Sequence, residues 1–207
     1  MIPTLAERNA FNEENGRNRS QAVAAAIRLA TPDGPALTAL DYGCGPGHIG
    51  LRLADHFAHV TLVDVDSEAV AQAADAAANM ANITPLTLDL SVDAPPTDLC
   101  VDVVFSCLAW HHVTNLGALL AALAIVSPGG RLFVAEMYPD GGAYHAELPD
   151  FDGVDGFDPD ALAALLAKHG YTDVATKDLW TGQKWVAGSL TTMKLFMLEA
   201  RLPNMKR

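Results

Sequence analysis

Cysteine, positive charge and long apolar runs are all in short supply in this chain, and each shortage excludes something. Three cysteines, Cys44, Cys100 and Cys107, occur among 207 residues, an odd number with no C-x-x-C spacing. Such usage disfavours a disulfide framework or a thiolate zinc cluster and suits a reducing cytosol. Thirteen Lys and Arg stand against twenty-five Asp and Glu, a formal net charge of −12. A surface of that sign repels polyanions, so a broad nucleic-acid or anionic-membrane face is excluded, though a small local basic patch is not. No run of about eighteen apolar residues exists to span a bilayer. The first twenty residues, MIPTLAERNAFNEENGRNRS, lack the basic start and apolar core of a signal peptide. A soluble cytoplasmic protein is the expectation.

Apolar material itself is plentiful, since half the residues are hydrophobic and 18% are charged. Disorder and coiled coil are therefore poor readings, and one domain of ordinary size is expected. Residues 18–30 read as a helix ending before the turn-forming TPDGP of 31–35. Segment 1–30 is treated as a helical appendage to a domain over 31–207. Strands are expected at 36–42, 59–64, 83–89, 101–106 and 131–136, with helices at 47–57, 67–80 and about 115–126 between them. Asp66 is placed to cap the second of these helices. Asp158 is a good N-cap with Pro159 at the first helical position and Gly170 as the stop. Two last strands, about 172–180 and 189–200, have no helix between them, so they should form a hairpin with one strand antiparallel. Strands alternating with helices argue for an α/β domain whose parallel sheet is covered on both faces.

The most informative segment is Leu40-Asp41-Tyr42-Gly43-Cys44-Gly45-Pro46-Gly47. An apolar strand ends in an acid, and glycines then alternate with other residues before a helix. Glycine permits a tight turn at positive φ and lets a ligand approach the backbone, which at a strand's carboxyl end makes a nucleotide-type cleft. The register Gly45-Pro46-Gly47-His48-Ile49-Gly50 also matches the dinucleotide fingerprint GxGxxG. Against a nicotinamide site, Asp41 stands where a pyrophosphate would meet a carboxylate, while a cationic amino group would be welcome. No tyrosine is followed four residues later by lysine, as a short-chain reductase would need. Asp64 ends the next strand and can accept both hydroxyls of a ribose. Asp89, ending the third, could meet an adenine amine, or could simply be loop polarity.

Taken together, LDYGCGPG, the acid in VD at 63–64, the DL at 89–90, DVVFSCLAWHHV and SPGGRLFVAEM resemble the class I S-adenosylmethionine-dependent methyltransferases, specifically their small-molecule, type 11-like branch. The resemblance covers about 36–136 motif by motif and the final strand pair more loosely. It implies a three-layer, Rossmann-like, seven-stranded sheet ordered 3-2-1-4-5-7-6 with strand 7 antiparallel. It also implies S-adenosylmethionine as cofactor and a small-molecule methyl acceptor. By position, Gly43, Gly45 and Gly47 would surround the methionine part, with Asp41 behind them. Asp64 with Val65 would hold the ribose, Asp89 and Leu90 the adenine, and Ser106 or Cys107 would flank the sulfonium.

After the fourth strand, Ser106-Cys107-Leu108-Ala109 does not resemble the Asn/Asp-Pro-Pro-aromatic motif of base and amide methylation, nor a catechol-type carboxylate set, and no metal is expected. Trp110-His111-His112-Val113 follows; adjacent histidines are read as pointing in different directions, a poor chelating pair. Cys44 and Cys107 read as small packing residues. Candidate acid/base groups are His111, His145 and Tyr138. An acceptor pocket is expected between the loop bearing Ser106, Trp110 and His111 and the loop bearing Glu136, Tyr138, Tyr144 and His145. Segment 1–30 would lie over it, with Phe11, Arg17 or Arg19 near, or else pack outside. Two other readings stay open: an NAD(P)-dependent oxidoreductase, and a protein that binds S-adenosylmethionine without catalysis.

Overall fold

A computed structural model describes residues 3–139, 142–148 and 150–204. Seven strands among them form one sheet: β1 (Thr38–Tyr42), β2 (His59–Asp64), β3 (Ile83–Thr87), β4 (Val103–Cys107), β5 (Arg131–Met137), β6 (Thr172–Val186) and β7 (Ser189–Arg201). Their order is β3-β2-β1-β4-β5-β7-β6, with β7 antiparallel to both β5 and β6 and every other pair parallel. Helices α1 (Leu5–Ala30), α2 (Gly50–Leu53), α3 (Ser67–Ala76), α4 (Leu116–Val126) and α5 (Pro159–Lys168) supply the outer layers. Because the central strands are covered on both faces, they read as nearly unbroken apolar runs. Ala39, Val60, Leu62, Val103 and Phe105 pack with α1, α2 and α3. Leu40, Val104, Leu132 and Leu198 pack with α4 and α5. No helix among the described residues is long and apolar enough to cross a membrane.

Several elements differ from their expected extents. The helix expected at 67–80 ends at Ala76, and the strands expected at 36–42, 83–89 and 101–106 shift by one or two residues at an end. Three others differ more. The first helix begins at Leu5, not Asn18, because Thr4 and Glu7 form a reciprocal capping box that starts it early. Its later half buries Val23 and Ile27 in the core, each worth about 1.5–3 kcal/mol. Its earlier half is held by polar contacts: Asn12 donates to Trp185 O at 3.0 Å and accepts from Trp185 N at 2.7 Å. The second helix shrinks from 47–57 to Gly50–Leu53, since Gly47 at φ +81° cannot belong to a right-handed helix. Strand β6 runs on to Val186, six residues past its expected end. Gly182 makes that extension possible, because a Cβ there would stand 2.1 Å from the Trp180 ring. The hairpin closes through Ala187 and Gly188, both at positive φ, as a tight two-residue turn requires.

The caps at Asp66 and Asp158 form as the sequence suggests, with Pro159 opening α5 and Gly170 at φ +83° beyond its end. Of the long segment after β5, Asp140, Gly141 and Pro149 lie outside the described residues. The remainder is tied back to the sheet by Phe157 N to Met137 O and Val154 N to His111 O, both 2.9 Å. The carboxyl ends of β1, β2, β4 and β5 thereby open onto one rim.

Candidate functional site

The loop after β1 carries three glycines at positive φ, and each has a different reason to be glycine. Gly43 lies against the loop after β4, where a Cβ would meet the Ala109 Cβ at 2.2 Å. Gly47 is packed against α2 and α3, with Leu51 and Ala73 atoms 3.2 and 3.3 Å from a Cβ position. Gly45 has nothing within 4 Å of its Cβ position, so its bare backbone faces open space. Gly43 and Gly45 line two adjoining clefts, whereas Gly47 lines neither.

The first cleft, about 390 Å³, has Asp64 and Asp89 as its charged groups and Val65, Val92, Leu108 and Val113 as apolar walls. Asp64 Oδ2 accepts from Gly45 N at 2.7 Å and Oδ1 from Asp66 N at 3.0 Å, which fixes the carboxylate between loop and strand end. Asp66 instead caps α3 by accepting from Glu68 N at 2.8 Å. Asp89 Oδ1 accepts from Ser91 N at 2.9 Å and Ser91 Oγ at 2.6 Å. Leu90 turns its side chain into the core rather than into this cleft.

The second cleft, about 260 Å³, is lined by Asp41, Cys44, Cys107, His111, His112 and Tyr144, with Arg19 and Ser20 of α1 as one wall. Asp41 is 2% exposed and accepts from Gly50 N at 2.9 Å. Burial pushes its carboxyl up to about 7, against the pull of that amide and helped by the nearby Asp64 charge. Gly50 must itself be glycine, because a Cβ would stand 2.2 Å from Leu62 and 3.0 Å from Asp41 Oδ2. Burial also pushes the Cys107 thiol up to about 12 and raises Cys44 further, which keeps both protonated and poor nucleophiles.

Several residues expected at the rim are elsewhere. Ser106 is buried and donates from Oγ to Tyr42 O at 2.7 Å, joining β4 to β1. Trp110 is wholly buried in the core. Tyr138 lies outside both clefts, donating to Asp178 at 2.6 Å with its ring edge-on to Phe196. Phe11 lines neither cleft, and Arg17 faces a neighbouring pocket with Arg19, His48 and Arg52. Conversely, Leu108 and His112 line both clefts, although Leu108 carried no signal of its own and His112 was read only as half of a histidine pair. Leu108 sits at φ +55°, a conformation that costs a non-glycine residue energy and marks a constrained turn.

The reading of the two histidines needs correction. Adjacent side chains diverge in a strand, but Trp110–His112 form a 3₁₀ turn, where successive residues advance by a third of a turn. The His111 and His112 ring centroids are 4.2 Å apart, and His145 from the loop after β5 comes within 5.1 Å of His111. Potential ligand atoms of all three lie within 4.8 Å of one another. His111 Nδ1 is 2.9 Å from Glu136 Oε2, and Glu136 Oε1 accepts from Trp110 N at 2.8 Å. Desolvation, and then the facing His111 and His145, hold His112 below the ordinary imidazole range.

Known proteins resemble this chain in part of its sequence and in its fold. A methyltransferase-domain family matches residues 39–130, the stretch from β1 to the turn before β5. The matched stretch, a little under half of the chain, is similar to methyltransferase domains. An uncharacterised methyltransferase of Mycobacterium tuberculosis is 38% identical over 96 residues, 46% of this chain and 48% of that protein. The chain thus matches about half the length of its curated relative. Among solved structures, YcgJ of Bacillus subtilis superposes with a TM-score of 0.69 at 15% identity, covering 90% of this chain and 100% of that one. The N-methyltransferase NodS of Bradyrhizobium japonicum, solved with S-adenosyl-L-homocysteine, gives 0.59 at 18% identity over 90% and 87%. These two likenesses concern the methyltransferase fold.

Proposed function

We propose that this chain transfers a methyl group from S-adenosylmethionine to a small-molecule acceptor. The observation that carries the reading is the meeting of two clefts at the bare backbone of Gly45, one with two fixed acids and apolar walls, the other with nitrogen-bearing side chains. In this reading the nucleoside takes the first cleft. Asp64, both oxygens already oriented by amides, has lone pairs left for ribose hydroxyls. Asp89 serves the base, and Val65, Val92 and Leu108 cover its faces. The amino-acid end crosses Gly45 toward Asp41 and Arg19, a carboxylate for its ammonium and a guanidinium for its carboxylate. The bound donor supplies an activated methyl on a sulfonium, whose displacement needs chiefly alignment at about 3–3.5 Å.

The acceptor then approaches through the second cleft, under the wall made by α1. Apolar Ile49 and Leu108 beside the nitrogen-bearing side chains suit a small, partly apolar molecule. A nicotinamide dinucleotide is served less well. The helix amide that would meet its pyrophosphate, Gly50 N, is already taken by Asp41. Three unpaired thiols fit a reducing compartment, and we place the protein in the cytoplasm on that basis. A thermal-shift comparison tests the donor reading. S-adenosylhomocysteine should raise the unfolding midpoint in a dose-dependent way while NADH leaves it unchanged. The opposite pattern would overturn it.

A further inference from the structure

We infer that His111, His112 and His145 form a binding site for a divalent transition-metal ion on the acceptor side of the donor cleft. The inference rests on the proposed donor site only for its catalytic consequence, not for the metal site itself. Three imidazoles from two separate loops converge with ligand-capable atoms within 4.8 Å of one another. His111 and His145 are only 1% and 4% exposed, so two of the three rings are shielded from bulk water.

The surroundings match what a metal-bound histidine needs. Glu136, fully buried, accepts from the backbone of Trp110 and Met137 and lies 2.9 Å from His111 Nδ1. A proton on Nδ1 shared with that carboxylate leaves the Nε2 lone pair for a metal, the usual carboxylate–histidine–metal arrangement. Asp155 Oδ1 stands 3.8 Å from His145 Nδ1, near the ring but beyond hydrogen-bond length. Phe151 stacks on His145 at 3.8 Å and meets His112 edge-on at 5.4 Å, fixing the ring planes. Three nitrogen donors without a first-rank oxygen ligand favour Zn²⁺ or a similar ion over Mg²⁺ or Ca²⁺.

Three protein ligands leave a fourth position, as in catalytic rather than structural zinc sites. Here it would open toward the second cleft, which His111 and His112 both line. An acceptor hydroxyl or thiol bound there would lose its proton to solvent more readily. Its freed electron pair would form the new bond to the methyl carbon. The carbon–sulfur bond of the donor would break with its pair remaining on sulfur, leaving a neutral thioether and a methylated acceptor.

The test uses the full chain stripped with chelator and titrated with Zn²⁺ or Co²⁺ alone. We expect about one ion per chain by elemental analysis and the intense visible bands of four-coordinate Co²⁺. His112→Ala, at the solvent side of the trio, and His145→Ala should each weaken Co²⁺ binding by more than the roughly 10–100-fold expected for Glu136→Gln. His145→Ala, outside both clefts, should still bind S-adenosylhomocysteine, which also reports that it folds. Gly45→Val should bind Co²⁺ like the wild type. Metal binding without S-adenosylhomocysteine binding would leave this site standing and sink the donor reading. Failure of the wild type to bind either ion, or equal binding by His112→Ala, would overturn the metal site.

Discussion

The two clefts share Gly43, Gly45, Leu108 and His112, yet their chemistry is opposite in kind. The first is bounded by the ends of β1 and β2 and the loop after β3, and its charged groups are the carboxylates Asp64 and Asp89. The second is bounded by α1 and the ends of β1 and β4, and it holds Arg19, His48, His111 and His112 against the single acid Asp41. A few residues of glycine loop are all that separates them. The difference teaches that one sheet edge can present acceptors on one side and nitrogen donors on the other simply by which strand end supplies the side chain.

Removing what the clefts share should have the largest effect. Gly45→Val places a branched side chain at φ +51° in the open space where the clefts meet. Calorimetric binding of S-adenosylhomocysteine should disappear, while the strained backbone costs roughly 1–3 kcal/mol of stability and the fold persists by circular dichroism. Undiminished affinity would show that the clefts do not act as one site.

Asp41 probes the second cleft alone. Its folded carboxyl titrates near 7, above its unfolded value, so the native state holds the extra proton between about pH 4 and pH 7. Wild-type stability should therefore lose on the order of 4 kcal/mol from this group as pH rises through that window, then level off. Asp41→Asn keeps an oxygen for Gly50 N but carries no proton to lose. Its stability relative to wild type should therefore increase from pH 4 to pH 7. A constant difference across that range would mean Asp41 is ionised throughout.

The first cleft responds to Asp64. Asp64→Ala should weaken S-adenosylhomocysteine binding by about 1.5–3 kcal/mol, the worth of hydrogen bonds to a charged group. Asp66→Ala should leave affinity nearly untouched and cost about 1 kcal/mol of stability as a lost cap. Equal losses of affinity in the two variants would mean that strand end and helix cap do not divide the work as the geometry has it.

The central strands were legible because burial on both faces writes itself as apolar runs between turn signals, whereas their order came from the resemblance to the methyltransferases. The β2 run, 59–64, was read to the residue. What could not be read was held by polar or steric detail. The first half of α1 follows from the Thr4–Glu7 box and from Asn12 reaching a strand 173 residues away, neither of which produces apolar periodicity. The extended β6 depended on Gly182 yielding space to Trp180, although glycine ordinarily argues against a strand. At the site, the glycines and strand-end acids were visible as types. Which glycine faces open space, and that Ser106, Leu90 and Tyr138 turn away, depended on packing across distant segments. That the loops bearing His111 and His145 face each other was expected from the strand ends, but the convergence of their rings with His112 was not, since it depends on how both loops pack onto one rim.

The Asn12 contact has a further effect on assembly. An outermost strand exposes a row of unpaired amides and carbonyls that can template pairing with another chain. Here β3 is outermost on one side and carries Pro85, which has no N–H to offer. On the other side is β6, fifteen residues long, and its outward groups at Trp185 are both taken by the Asn12 amide, with Gln183 N donating to Asn15. The polar half of α1 thus occupies part of this edge with side chains, which cannot propagate the sheet.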